Sequence, residues 1–476
     1  MFNQENIENK LRISLKRCFY RVVRTSQQQD RMGSFSKMLP YSCYELGHTW
    51  NHSCSTVSFE IGIIGFIESL KIYGVVYLLT GLVNARKISL KFGRKLLKDY
   101  LTSVCFLTVN AFGYIGSFCV VRHILHHFNF LSASFLPGFI GSLMAIFVER
   151  PERRVMLSIY VTNVASECLW NSAVGHGYAR PIPRGEVLVF AAAMAVLGYS
   201  FRAQAPISQL INSILQLFLG QEESGLMITQ RQEKVHHTIS SPEPLVWHQK
   251  LLAALTGRHH TCPHRAGCLL HFLWTGVQGF GQGFLLQLSF RLVTSLGRVL
   301  RAPKKLVPLL TSKNNIEAGL FVAWFTSFFK GTCCAGRWWH GQDQAGHGAV
   351  AGALAGLSMY FYSAPSLALY TMWKVVESLY AKGCKYGYLP RIPGSVELLY
   401  AISTGYLFHV STTELHHMKP SYWRFLARLT WNRLYEYNRH LLAPFGMDSG
   451  RFTPNFWPDY DPNRISEAVK RLRPAL

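Results

Sequence analysis

Charge is scarce in this 476-residue chain, and acidic charge is the scarcest: 25 Asp and Glu stand against 49 Lys and Arg, and charged residues make up 16%. A soluble domain carries nearer a quarter. With 49% apolar residues, intrinsic disorder is excluded, because disorder needs low hydrophobicity. The net charge of +24 does not indicate a nucleic-acid partner. Such a partner calls for a polar basic surface, and here the basic residues lie between long apolar runs. No Gly-Lys-Ser/Thr phosphate loop and no nucleophile elbow is present. No cleavable secretory leader is visible, and Arg473-Pro474-Ala475-Leu476 is not a retrieval or peroxisomal signal. The eleven cysteines form no secreted disulfide framework. Several sit inside apolar runs (Cys105, Cys119, Cys168) and read as small packed thiols.

What the sequence does contain is a series of apolar segments separated by Lys and Arg. That is the pattern of an all-α multi-pass membrane protein. The segments run roughly over 57–83, 103–121, 128–148, 156–173 and 187–201, then 266–289, 316–336, 348–363, 366–382 and 396–410. Residues 1–31 read as a basic amphipathic extension. Residues 32–56 form a Cys-containing N-terminal segment, 57–219 a first membrane repeat, and 220–262 a polar linker. Residues 263–415 form a second repeat and 416–476 a basic, aromatic tail.

The repeat rests on an ungapped match between 138–197 and 348–407, an offset of 210 residues, with 13 identities in 60 positions. Ordinary composition gives roughly four. The shared Gly177-Tyr178 and Gly387-Tyr388, and Ile182-Pro183 and Ile392-Pro393, lie in connecting loops, where hydrophobicity alone does not account for them. Two tandem copies of one helical membrane unit are the expected architecture, as in many transporters. Both first segments are basic on both flanks, which predicts that they lie in the interface or re-enter. Four crossings per copy, in parallel, would remain.

Within the segments, Glu68 and Lys71 stand at i, i+3, as do Lys374 and Glu377. Glu167 and Glu377 each follow a tyrosine by seven residues. An ionisable group in a span is costly and faces a bundle interior or water. These residues are candidates for a polar pathway or a lipid-headgroup site; the alternative is structural pairing near the interface. Gly348, Gly352 and Gly356 form a small-residue stripe suited to close helix packing. His48 with His52, and His123 with His126 and His127, resemble the ligand boxes of membrane di-iron oxygenases. The third box, at His416-His417, is incomplete. Cys262, His264 and Cys268 are weak metal candidates, since their spacing is not a standard structural-zinc pattern. No cofactor is expected.

Three stretches carry a family likeness: Cys43-Tyr44-Glu45-Leu46-Gly47-His48-Thr49-Trp50, Glu68-Ser69-Leu70-Lys71-Ile72-Tyr73, and Lys419-Pro420-Ser421-Tyr422-Trp423-Arg424-Phe425-Leu426. With Phe329-Lys330-Gly331-Thr332 and Val376-Glu377-Ser378, they resemble the transmembrane protein 135 family, also described as a peroxisomal membrane protein of fifty-two kilodaltons. The likeness runs from about Met32 to the C-terminal region. The glycine-rich second copy also resembles the inner-membrane translocase family that includes the twenty-four-kilodalton peroxisomal membrane protein. The first resemblance implies a non-enzymatic multi-pass protein of mitochondrial and peroxisomal membranes. It implies roles in the fission–fusion balance, in peroxisome organisation and in lipid metabolism. Membrane lipids and a dynamin-related fission GTPase are the partners it implies. A lipid or solute pathway between the repeats is the alternative function, and a di-iron lipid oxygenase is the third.

Overall fold

The computed structural model describes residues 36–472, apart from 84–88, 226–256, 260, 303–305 and 448. The extension at 1–31 and most of the 220–262 linker lie outside the described residues. Among the described residues the chain is all-α, with one isolated antiparallel bridge between Leu39 and Phe128.

Helix follows apolar run throughout. A four-residue turn, α1 (Cys43–Leu46), precedes α2 (Cys54–Val83), α3 (Leu90–Leu125), α4 (Phe135–Val148), α5 (Pro151–Gly175), α6 (Gly185–Arg202) and α7 (Gln209–Leu219). After the linker come α8 (Cys268–Arg301), α9 (Leu306–Leu310), α10 (Lys313–His340), α11 (Ala345–Gly356), α12 (Pro365–Lys385), α13 (Ser395–Thr413), α14 (Pro420–Leu429) and α15 (Glu467–Leu472). The starts obey capping chemistry. Ser42 accepts from the Glu45 amide while Glu45 accepts from the Ser42 amide, a closed capping box. Ser89 caps α3, and Pro151 and Pro365 open α5 and α12 with a preset φ.

Among the described residues, four helical stretches are long and apolar enough to cross a membrane: Cys54–Leu82, Leu90–Leu125, Gly185–Arg202 and Leu306–His340. The first apolar segment is therefore a full-length helix, although its basic flanks suggested an interfacial one. Its outer face exposes Phe59, Ile63, Val75, Leu78 and Leu82; that of α8 exposes Trp274, Val277, Leu285, Leu286 and Phe290. Apolar faces of this extent suit hydrocarbon rather than water.

The chain forms two compact units that do not follow chain order. One comprises Met1–Ala179 with Pro393–Leu476, the other Arg180–Ile392. In the first unit, α2 lies on α3, α3 on α4, and α13 on both α4 and α5. In the second, α8 lies on α10, α10 on α11, and α6 on both α11 and α12. Each unit thus takes its fifth helix from the other part of the chain. The connections that carry the chain across share one backbone geometry. His176, Gly177 and Tyr178 donate to Ser172, Val174 and Ala173; Tyr386, Gly387 and Tyr388 donate to Lys382, Cys384 and Gly383. Gly177 and Gly387 both sit at positive φ, 73° and 77°.

The glycine stripe packs as the sequence suggests, and α6 is its partner. Gly348 meets Gly198, Gly352 meets the Met194 carbonyl, and Gly356 meets Ala191, where an added Cβ would fall 2.5 Å from the Ala191 Cα. In the first unit, Gly138 meets Gly405 and Phe408 of α13. Gly352→Leu is expected to force α6 and α11 apart and to cost about 1–3 kcal/mol or more, as overpacking does. Gly346 has open space around it, so Gly346→Ala should leave stability unchanged or slightly raised. Thermal unfolding of both variants in detergent, followed by size-exclusion chromatography, checks this.

The described residues after 415 are not a free tail. They fold back onto the N-terminal segment of the first unit. The Asn438 amide donates to the Leu46 carbonyl at 2.9 Å, and the Ser466 amide donates to Glu45 Oε1 at 2.6 Å. The Tyr460 hydroxyl donates to the Glu45 carbonyl, and Thr49 Oγ1 donates to the Glu436 carbonyl at 2.7 Å. Trp423, Leu441, Leu442 and Phe445 are buried here. Tyr422, Trp423, Tyr437, Phe445 and Tyr460 of this segment are buried, which is why a basic segment with a poor helical pattern nevertheless packs.

Candidate metal centres and intramembrane ion pairs

Two clusters of cysteine and histidine recur, one in each unit. In the first, Cys43 opens α1, His48 follows its end, Cys54 begins α2, and Cys119 stands on α3 six residues before the helix ends. In the second, Cys262 and His264 precede α8, Cys268 begins it, and Cys334 stands on α10, again six residues before the end. Within each cluster all four donor atoms lie within 4.8 Å of one another. Six of the eight residues are buried; Cys54 and Cys268 are half-buried.

The imidazoles are held alike. His48 Nδ1 lies 2.7 Å from the Asn51 carbonyl, and His264 Nδ1 lies 2.6 Å from the Ala266 carbonyl. A carbonyl oxygen only accepts, so Nδ1 carries the proton and Nε2 presents a lone pair. That nitrogen faces sulfur: His48 Nε2 is 3.4 Å from Cys54 Sγ, and His264 Nε2 is 3.3 Å from Cys334 Sγ. Cys262 Sγ and Cys268 Sγ stand 3.7 Å apart, far beyond a disulfide bond. A hydrogen bond with Cys334 lowers the Cys262 thiol, against the opposing effect of burial.

Of these residues, the sequence groups only Cys262, His264 and Cys268 as a cysteine–histidine set; it marks His48 as a ligand candidate with His52, not with Cys43, Cys54 and Cys119, and it leaves Cys334 out. A signal existed: Cys119 follows Cys54 by 65 positions, and Cys334 follows Cys268 by 66. His48 joins cysteines rather than an iron box. Among the described residues, His52, His123, His126 and His127 do not gather with His416 and His417 into a ligand set.

The three carboxylates that the sequence singles out within apolar segments are paired. Glu68, buried, receives Lys71 at 2.6 Å and Arg428 at 3.1 Å, with Trp431 Nε1 at 3.0 Å. Lys374 reaches Glu377 at 2.8 Å, and Lys419 reaches Glu167 at 3.2 Å. Glu167 and Glu377 belong to different units.

A second buried charge group was not anticipated. In the second unit, Glu223 accepts from Arg202 at 2.8 Å and from Arg337 at 2.7 Å. Asp343 accepts from Arg337 at 3.1 Å and from Arg202, closing a ring of two guanidiniums and two carboxylates. Burial alone would raise the Glu223 carboxyl, but Arg337 and Arg202 outweigh it and hold the group below its usual range.

The helical fold and the exposed apolar helices define an all-α membrane protein. Residues 40–174 match the family model described as the N-terminal cysteine-rich region of Transmembrane protein 135. The matched stretch contains the whole first cluster and runs through α4 into the last turn of α5. No solved structure matches the chain.

Proposed function

We propose that this protein works in mitochondrial and peroxisomal membranes, where it sets the balance of mitochondrial fission and fusion and organises peroxisomes, with a link to lipid metabolism. The match over residues 40–174 carries this reading. In this proposal the chain performs no chemistry of its own and acts on membrane lipids and on a dynamin-related fission GTPase. We further propose that the two units descend from one duplicated membrane unit, since their main helices share order and connection geometry. The competing reading, a pathway lined by Glu167 and Glu377, finds less support, because each carboxylate is held by a lysine. An apolar cavity in the first unit, bounded by Phe118, Phe408 and Tyr437, measures about 30 Å³. That is room for a water or two rather than an acyl chain.

The test is expression of the tagged chain from Met32, imaged against untransfected neighbours. Fragmented mitochondria, with the tag on mitochondrial and peroxisomal membranes, is the expected result. Correct localisation with unchanged organelle number and size overturns the organiser reading. Exchanging the exposed cations Arg424, Lys470 and Arg471 for Gln tests the basic surface without removing buried residues.

A further inference from the structure

We propose that each unit holds one zinc ion in a Cys3His site, ligated by Cys43, His48, Cys54 and Cys119 in the first and by Cys262, His264, Cys268 and Cys334 in the second. Three thiolates and one imidazole around a single ion is an established structural-zinc donor set. The distances are those of one ion. Tetrahedral zinc, with Zn–S of about 2.3 Å and Zn–N of about 2.0–2.1 Å, places its sulfurs about 3.8 Å apart and sulfur from nitrogen about 3.6 Å apart. The Sγ–Sγ separation of 3.7 Å and the Nε2–Sγ separations of 3.3 and 3.4 Å match these edges. A two-iron cluster spreads its ligand pairs over two metals, so it suits a set confined within 4.8 Å less well.

The surroundings are those of a metal site. Both histidines have Nδ1 fixed by a backbone carbonyl, the outer hydrogen bond that aims Nε2 at a metal. A zinc ion with three thiolates carries a net charge of −1. In both clusters an arginine follows the helical cysteine by three residues, Arg122 after Cys119 and Arg337 after Cys334. The two sites have the same ligand order and the same places on corresponding helices. Each would fasten the segment before the first helix to the far end of the second. An ion there binds the folded arrangement and so stabilises it.

The experiment is elemental analysis of the full chain, purified in detergent without chelator. Two zinc ions per chain are expected. Cys119→Ser and Cys334→Ser should each leave one, and the double variant none. Should a Ser variant fail to fold, His48→Cys and His264→Cys keep four ligands each. They should retain two zinc ions, and in cobalt-substituted protein they should strengthen the thiolate-to-cobalt charge-transfer band. Wild-type protein without zinc whose cysteines titrate as free thiols or are found as disulfides overturns the proposal. So does iron with acid-labile sulfide in place of zinc.

Discussion

Glu223→Gln is expected to cost the second unit about 3–5 kcal/mol, the usual penalty for removing one partner from a buried ion group. Glu223 serves both Arg202 and Arg337, and all three side chains are 2% exposed or less. Without its charge, two buried guanidiniums share only Asp343. The pH dependence gives a second reading of the same ring. The folded-state carboxyl lies below its ordinary value. Its contribution is therefore present above the unfolded-state value of about 4.3 and is lost as pH falls through the depressed folded value. Thermal unfolding across the acid range should show a steeper loss in the wild type than in the variant, which has nothing to protonate there. Equal unfolding temperatures at neutral pH would show that the ring contributes nothing.

Ending the chain after Thr413 is expected to abolish folding of the first unit. The deleted stretch buries Trp423, Leu441, Leu442 and Phe445, each worth roughly 1.5–3 kcal/mol. Those four alone approach the whole stability of an ordinary domain, about 5–15 kcal/mol. Glu45 would also lose the Ser466 amide, one of the hydrogen bonds that hold its carboxyl below the usual range against the effect of burial. Limited proteolysis should cut α2 through α5 freely while α8 through α12 stay protected. Equal protection of both units would sink the idea that this segment completes the first. The same result bears on cell assays: a C-terminal deletion that changes organelle shape reports misfolding before it reports a lost contact surface.

The helices were largely legible in the sequence, because each apolar run had to satisfy its backbone internally in lipid. The stripe at Gly348, Gly352 and Gly356 correctly marked a close crossing. Its partner, α6, was not readable, since a small-residue face says that a backbone approaches but not which one. The segment after 415 was misread for a related reason. Its apolar residues are few and spread through short turns, and only contact with Leu46, Thr49 and Glu45 reveals them as core. For the charged candidates, the i, i+3 spacing foretold both Lys71–Glu68 and Lys374–Glu377. Glu167 with Lys419 joins residues 252 positions apart, beyond any spacing argument. Cys119 looked like a packed thiol and Cys334 carried no signal, because a ligand some 65 residues away from its partners has no local signature.

The fifth helices also impose an order on synthesis. A chain leaving the ribosome N-terminus first usually completes its first domain first. Here the earliest helices, α2 through α5, must wait for α13 and the segment beyond it, more than two hundred residues later. The second unit, Arg180–Ile392, has all its parts in hand sooner and can close while the first is still open. A premature stop beyond Ile392 would therefore spare the second unit and leave the first unfinished in the bilayer, exposed to quality control.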